Sequence, residues 1–373
     1  MDHVPINTSL NRSLSLDAVR AFAIALVMGR HIVAAPADGH FVTWAAVGVW
    51  RRGGWVGVDL FFVLSGFLVS GLLVREQLST GDISYRRFLL RRALRIYPAF
   101  WTMLAVTLVM FTMQQPFPQM RALIGELTFT QNYVGSIWQH TWSLAVEEHF
   151  YLLLCVFVWM LVRTGPRSRP FARMPALFSI VAIACLGLRI ITCATHSQFA
   201  ETVHVFPTHL RIDSLLFGVL IAYFWHVGDL RKRIAGRAVP LTLAGMGLLI
   251  PSFVFPIDRT PWISTVGFTM FYLGSGCLIC AALSAPTRPG KLISRLAFVG
   301  KHSYSVYLWH IPVGLWCGWY VRPLVDDPMI AWYVIAACYL VGSLLLGVAM
   351  SYAIEIPMLR ARDRWLPTPN SRP

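Results

Sequence analysis

The sequence predicts an all-α fold, a polytopic membrane helix bundle of about ten transmembrane helices with both termini in the cytoplasm. Three observations carry that reading. Of 373 residues, 56% are hydrophobic and only 13% charged, about half the charged share of a soluble domain, and the mean hydropathy is +0.60. Apolar stretches long enough to cross a bilayer recur along the whole chain. Every second connection between them is rich in arginine and lysine, which is the positive-inside pattern.

The apolar stretches lie near 14–35, 55–75, 93–113, 142–163, 175–195, 209–227, 239–256, 264–285, 303–321 and 331–355. The first begins after Arg12 and runs to Ala34-Ala35-Pro36-Ala37, an outline shared with secretory leaders. Asp17, Arg20, Arg30 and His31 interrupt its apolar centre, so an uncleaved first helix is expected. The 75–95 connection carries Arg75, Arg86, Arg87, Arg91, Arg92 and Arg95. Basic clusters follow at Arg163, Arg167, Arg169 and Arg173, then at Arg231, Lys232, Arg233 and Arg237. Others stand at Arg288, Lys291, Arg295 and Lys301, and in the tail at Arg360, Arg362, Arg364 and Arg372. The intervening connections hold few basic residues, and the alternation requires an even number of spans. The segment 121–138 is too short and polar to span and reads as re-entrant or interfacial.

The chain therefore divides into a cytoplasmic N-terminal segment (1–13), a transmembrane domain (14–356) and a basic cytoplasmic tail (357–373). A multi-pass place in the inner (plasma) membrane follows, with membrane lipid around it. The net charge of +15 would suggest nucleic acid in a soluble chain. Here the basic residues sit in short loops, so topology explains them and no nucleic-acid partner is expected. The seven cysteines lie in apolar stretches without ligand spacing, and no metal is expected.

Ionisable groups inside a bilayer are costly, which makes each a candidate for function. Arg20 falls near the cytoplasmic end of the first helix, and His31 lies roughly 16 Å nearer the outside at 1.5 Å per residue. Topology places Asp59, Glu147, Glu148 and Asp213 at a depth similar to His31, the five residues falling on four helices. A carboxylate beside an imidazole fixes its tautomer and makes it a better base. The alternative is that these are interfacial charges touching water. Arg92 and Arg95, three apart, share a helix face and can clamp a phosphate or bind lipid headgroups. His310 is a lone histidine within its span, expected to bond across helices. Gly57, Ser65 and Gly66 permit close helix approach.

Six ordered blocks resemble the acyltransferase-3 family of membrane O-acyltransferases. They are Leu16-Asp17-Ala18-Val19-Arg20 with His31; Gly57-Val58-Asp59-Leu60-Phe61-Phe62-Val63-Leu64-Ser65-Gly66-Phe67; and Arg92-Ala93-Leu94-Arg95-Ile96-Tyr97-Pro98. Then come Thr141-Trp142-Ser143-Leu144-Ala145-Val146-Glu147-Glu148-His149-Phe150-Tyr151, Arg211-Ile212-Asp213, and Ser303-Tyr304 through His310. Each block alone is weak, but the ordered set is specific. The resemblance implies a ten-helix catalytic bundle that uses acyl-coenzyme A, commonly acetyl, as a co-substrate rather than a permanently bound cofactor. It implies a carbohydrate, glycolipid or macrolide acceptor. It also maps the family's first-helix arginine and histidine onto Arg20 and His31, its arginine pair onto Arg92 and Arg95, and its glutamate onto Glu147, with Glu148 following. Some members carry an appended esterase-like periplasmic domain; none is expected here. Arg30 before His31, and His149 where the family often has glutamine, depart from the usual pattern.

The expected mechanism has coenzyme phosphates on Arg92 and Arg95, Arg20 at the mouth of the donor passage, and His31, oriented by Glu147, either deprotonating an acceptor hydroxyl or briefly carrying the acyl group itself. Asp59, Glu148, Asp213 and His310 are supporting or acceptor-side candidates. Two rivals stand beside it. A multi-spanning transporter of an anionic or acylated metabolite would show repeats with broken helices, and none is evident. A structural scaffold gives no reason for a buried histidine beside acids.

Overall fold

The computed structural model describes residues 14–36, 40–114, 118–166, 168–285 and 290–367, which are helical with no strands among them. The expected segment 1–13, Arg167, Arg288 and the last six residues of the tail lie outside that set. A helix occupies each apolar stretch. These are α1 (Leu14–His31), α3 (Gly57–Thr80), α4 (Tyr85–Gln114), α7 (Trp142–Thr164), α8 (Met174–Thr195), α10 (Ile212–His226), α12 (Ala238–Val254), α13 (Phe268–Ser284), α15 (Ser303–Val321) and α16 (Pro328–Met350). Between them lie shorter elements: α2 (Phe41–Gly53), α5 (Met120–Thr128), α6 (Gln131–Val134), α9 (Glu201–His204), α11 (Leu230–Ile234), α14 (Lys291–Lys301) and α17 (Ile356–Trp365).

By length and composition, six continuous helical stretches are apolar enough to cross a membrane: Phe41–Thr80, Tyr85–Thr112, Gln139–Thr164, Met174–Thr195, Ile263–Ser284 and Pro328–Trp365. α10 and α12 are apolar but shorter. α1 falls outside this class because Asp17, Arg20 and Arg30 stand in it, and α15 because serines, tyrosines, tryptophans and His310 dilute its aliphatic residues. These two helices carry His31 and His310.

Small residues bring the central helices together, as the 57–67 block leads one to expect. A Cβ at Gly66 would stand 1.9 Å from the Leu215 carbonyl oxygen of α10, and one at Gly218 would stand 2.1 Å from that of Val63. Gly57 packs α3 on α1 in the same way, 2.4 Å from the Ala23 oxygen. Gly300 seats α14 against Asp17 of α1. These approaches tie α1, α3, α10 and α14 into a tight centre, and α15 packs on α1 and α16 beside it.

The segment 121–138 forms α5 and α6, neither long enough to span. Glu126 anchors the turn that follows. Its buried Oε1 accepts from Ile137 N (3.0 Å), Trp138 N (3.1 Å) and Thr141 Oγ1 (2.9 Å). Gln131 Nε2 donates to the Thr141 carbonyl at 2.9 Å. The backbone entering α7 is thereby fixed, and with it His140 and Ser143.

Candidate functional site

Two cavities penetrate the bundle from opposite ends. The larger, about 560 Å³, opens among the basic connections and is lined by Arg20, Arg92, Arg95, Lys301, Arg360 and Arg362, with Glu147 and Glu355 deeper in. The smaller, about 320 Å³, is lined by His31, Arg30, Arg51, Glu201 and the aromatic rings of Trp55, Trp142 and Phe206. Val58 of α3 and Tyr307 of α15 line both cavities and so form a shared wall.

The arginine pair is where its spacing puts it, on the cavity side of α4. Arg92 is buried, and its Nε has no partner among the described residues. Arg20 pairs with Asp17 one turn earlier and lines the same cavity. Arg91, by contrast, ties α4 to α17 through Asp363 (2.8 Å) and the Leu366 carbonyl. That contact brings Arg360 and Arg362 of α17 to the cavity rim.

His31 ends α1 and lines the smaller cavity. Its Nδ1 lies 3.0 Å from the Val27 carbonyl oxygen and 3.1 Å from Nε2 of His310. Nδ1 of His310 lies 2.6 Å from the Tyr307 carbonyl oxygen. A carbonyl can only accept, so each Nδ1 carries a proton. His310 therefore accepts at Nε2 from the Nδ1–H of His31. This leaves Nε2 of His31 as the lone-pair nitrogen, with no partner among the described residues. His140 stacks edge-on against His310 at 5.0 Å between ring centres, and its Nε2 donates to the Leu308 carbonyl at 3.3 Å. Tyr307, in the shared wall, donates to the His140 carbonyl at 2.6 Å and meets Ser143 Oγ at 2.6 Å.

Several expected placements are corrected. Glu147 does not orient His31: its Oε2 accepts from Tyr151 OH (2.6 Å) and Ser65 Oγ (3.4 Å) in the larger cavity. The group that fixes the imidazole is another imidazole, His310. Glu148 faces away, accepting from Tyr97 OH at 3.0 Å, because neighbouring residues on a helix point about 100° apart. Asp59 and Asp213 line neither cavity. Asp59 pairs with Arg211 at 2.6 Å, Asp213 pairs with Arg189, and all four side chains are 0% exposed. The Arg211 guanidinium also stacks 3.8 Å over Phe268. This knot joins α3, α8 and α10, and its acids are occupied as counter-ions.

A profile of the family described as an acyltransferase domain matches residues 13–352. The chain belongs to the acyltransferase-3 family. It is similar to O-acetyltransferase OatA of Staphylococcus aureus (strain NCTC 8325 / PS 47), 30% identical over 321 residues, covering 80% of this chain and 50% of the relative. A putative O-acetyltransferase of Staphylococcus aureus (strain COL) is 30% identical over 290 residues, 71% of this chain and 46% of that one. The chain thus spans about half the length of the curated relatives it matches. No solved structure matches.

Within this acyltransferase-3 chain, three site residues and one residue of the buried knot escape a reading of the sequence. His140 precedes the Thr141–Tyr151 block and falls on no periodic face. Gln139 and Glu201 sit in connections, where they join each other (2.7 Å) and Arg30 (Glu201 to Arg30, 2.6 Å). Arg189 carries a signal that could have found it, a charge inside an apolar span.

Proposed function

We propose that this chain is a membrane O-acyltransferase that moves an acyl group, acetyl in the simplest case, from acyl-coenzyme A to a hydroxyl of a carbohydrate or glycosylated acceptor. One observation carries the reading: an arginine-lined cavity and a histidine-bearing cavity share a wall only one side chain deep. The reading includes ten spans and both termini at the basic, cytoplasmic face of the inner membrane, supported by the alternation of loop charge and by helices at all ten apolar stretches.

The donor enters from the basic face. Arg92 and Arg95 hold its phosphates through planar, doubly donating contacts, with Arg20 beside them. The pantetheine arm runs inward past Glu147 to the Val58–Tyr307 wall. The acceptor hydroxyl comes from the other side and loses its proton to Nε2 of His31 while its oxygen attacks the thioester carbonyl. The carbon–sulfur bond breaks, an ester forms, and the departing thiolate takes the proton from His31. Neutral His310 keeps Nδ1 of His31 protonated throughout, so Nε2 stays the reacting nitrogen. Meeting in one enclosed space supplies much of the acceleration.

The test uses full-length protein in detergent with acetyl-coenzyme A. Wild type consumes the thioester in the presence of a sugar acceptor, and His31→Ala does not. The double variant Arg92→Ala/Arg95→Ala binds coenzyme A about tenfold or more weakly by calorimetry. A transporter would bind its cargo without cleaving the thioester. Wild-type turnover by His31→Ala would refute the assignment.

A further inference from the structure

We infer that the acceptor carries an anionic group, a carboxylate or a phosphate, close to the hydroxyl that is acylated, and that Arg51 binds it. The inference rests on the acyl-transfer reading for the word acceptor, but the charge argument stands without it. Three guanidinium or carboxylate side chains line the smaller cavity: Arg30, Arg51 and Glu201. Arg30 and Glu201 neutralise each other at 2.6 Å, and Gln139 holds the far oxygen of Glu201 at 2.7 Å. Arg51 is left over. Its half-buried side chain has no hydrogen-bond, acidic or aromatic partner among the described residues.

The placement of Arg51 is not loose. α2 is pinned to α1 by Trp50 Nε1, which donates to the Ala25 carbonyl at 3.1 Å, and by Arg30, which donates to the Arg51 carbonyl at 3.3 Å. Arg51 is thereby held beside the last turn of α1, where His31 sits. A guanidinium kept partly out of water without a counter-ion is unfavourable, and its planar fork suits a carboxylate or phosphate. The other side of the cavity is aromatic: Trp142 and Phe206 stack 4.9 Å apart at 11°, with Trp55 nearby. A ring against this aromatic wall, with its hydroxyl at His31 and an acidic substituent at Arg51, uses both the base and the unpaired cation.

Binding is read directly, without catalysis, by quenching of tryptophan fluorescence in the full-length protein held in neutral detergent. The probes are methyl glucoside, methyl glucuronide and methyl glucoside 6-phosphate. Wild type should bind at least one anion tenfold or more tightly than the neutral sugar, and the tighter anion tells carboxylate from phosphate. Arg51→Gln should collapse that ratio toward one, Arg51→Lys should restore part of it, and Glu201→Gln, which releases Arg30, should widen it. Melting curves confirm that each variant is folded. Equal binding of charged and neutral sugars by wild type, no binding of either anion, or a ratio unchanged in Arg51→Gln overturns the inference. So does loss of the preference when phosphatidylglycerol is added to the micelles, because the arginine would then serve a lipid headgroup. Anion binding without any acyl transfer would leave this inference standing and remove the acyl-transfer reading. Transfer to neutral sugars with no anion preference would do the reverse.

Discussion

At the scale of single residues, the proposed base is defined by what holds it. His31 exposes one nitrogen because its other one is committed to Val27 and His310. His310 can accept because its own Nδ1 is committed to Tyr307. The tautomer of the base is thus set by backbone carbonyls at both ends of a two-imidazole relay. Replacing His310 with alanine should lower kcat about tenfold to a hundredfold, with coenzyme A affinity unchanged, because the imidazole of His31 is freed to rotate. His310→Gln, whose amide oxygen can accept the same proton, should retain more activity than His310→Ala. Steady-state kinetics on purified variants would decide it, and equal losses in the two would argue against a tautomer role. Sequence points to His31 through its depth in a span and through family resemblance. It does not supply the partner, because nothing in a linear chain ties position 31 to position 310. A carboxylate is the partner chemistry usually provides, but Glu201, in the same cavity, is committed to Arg30, Asp59 to Arg211 and Glu147 to Tyr151.

At the scale of elements, what could be read from the chain was governed by apolar run length. The ten apolar stretches each hold a helix, as an apolar surround that leaves the backbone no other way to satisfy its polar groups would require. α2, α5 and α14 have no such run and were not legible as helices, although α2 carries Arg51 and α5 carries Glu126. Glu126 makes a prediction that belongs to its element. Burial pushes its carboxyl from the ordinary 4.5 up to about 7, against the pull of bonds from Trp138, Thr141 and Ile137. The folded protein therefore keeps this proton over a range in which the unfolded chain has lost it. Its contribution to stability is whole below about pH 4.5, declines as pH rises toward 7, and is constant above that. The loss is on the order of 1–3 kcal/mol. Glu126→Gln keeps an accepting oxygen and does not ionise. It should match wild type near pH 4.5 and melt higher than wild type above pH 7. Denaturation in detergent across that range would measure it, and parallel pH profiles for the two proteins would count against an ionising Glu126. Its three bonds hold the turn that brings His140 to Tyr307, so loosening this turn should reach the site as well as the fold.

At the scale of the whole molecule, the arrangement solves a problem of access. Coenzyme A is large, charged and cytoplasmic, whereas the proposed acceptor reaches the opposite face. One continuous channel would leak water and ions, and a single closed pocket would admit only one of the two substrates. Two cavities meeting at Val58 and Tyr307 would, on the proposed function, take the donor from one side and the acceptor from the other and leave only the thioester and the hydroxyl to meet. The wall should therefore be sensitive to side-chain size in a way that donor affinity is not. Val58 is 8% exposed and contributes to both linings. Enlarging it to leucine and then phenylalanine should lower transfer in steps, reaching about a hundredfold as the reacting atoms are pushed out of contact distance. Coenzyme A should bind each variant within about threefold of wild type, because the arginines of α4 proposed to hold its phosphates lie away from the Val58–Tyr307 wall. Calorimetry for the donor and turnover for the reaction separate the two effects, and melting temperatures guard against an overpacked core. Transfer that survives Val58→Phe in a folded protein would place the reaction away from this wall. The relay from His31 through His310 to Tyr307 would then need a different purpose.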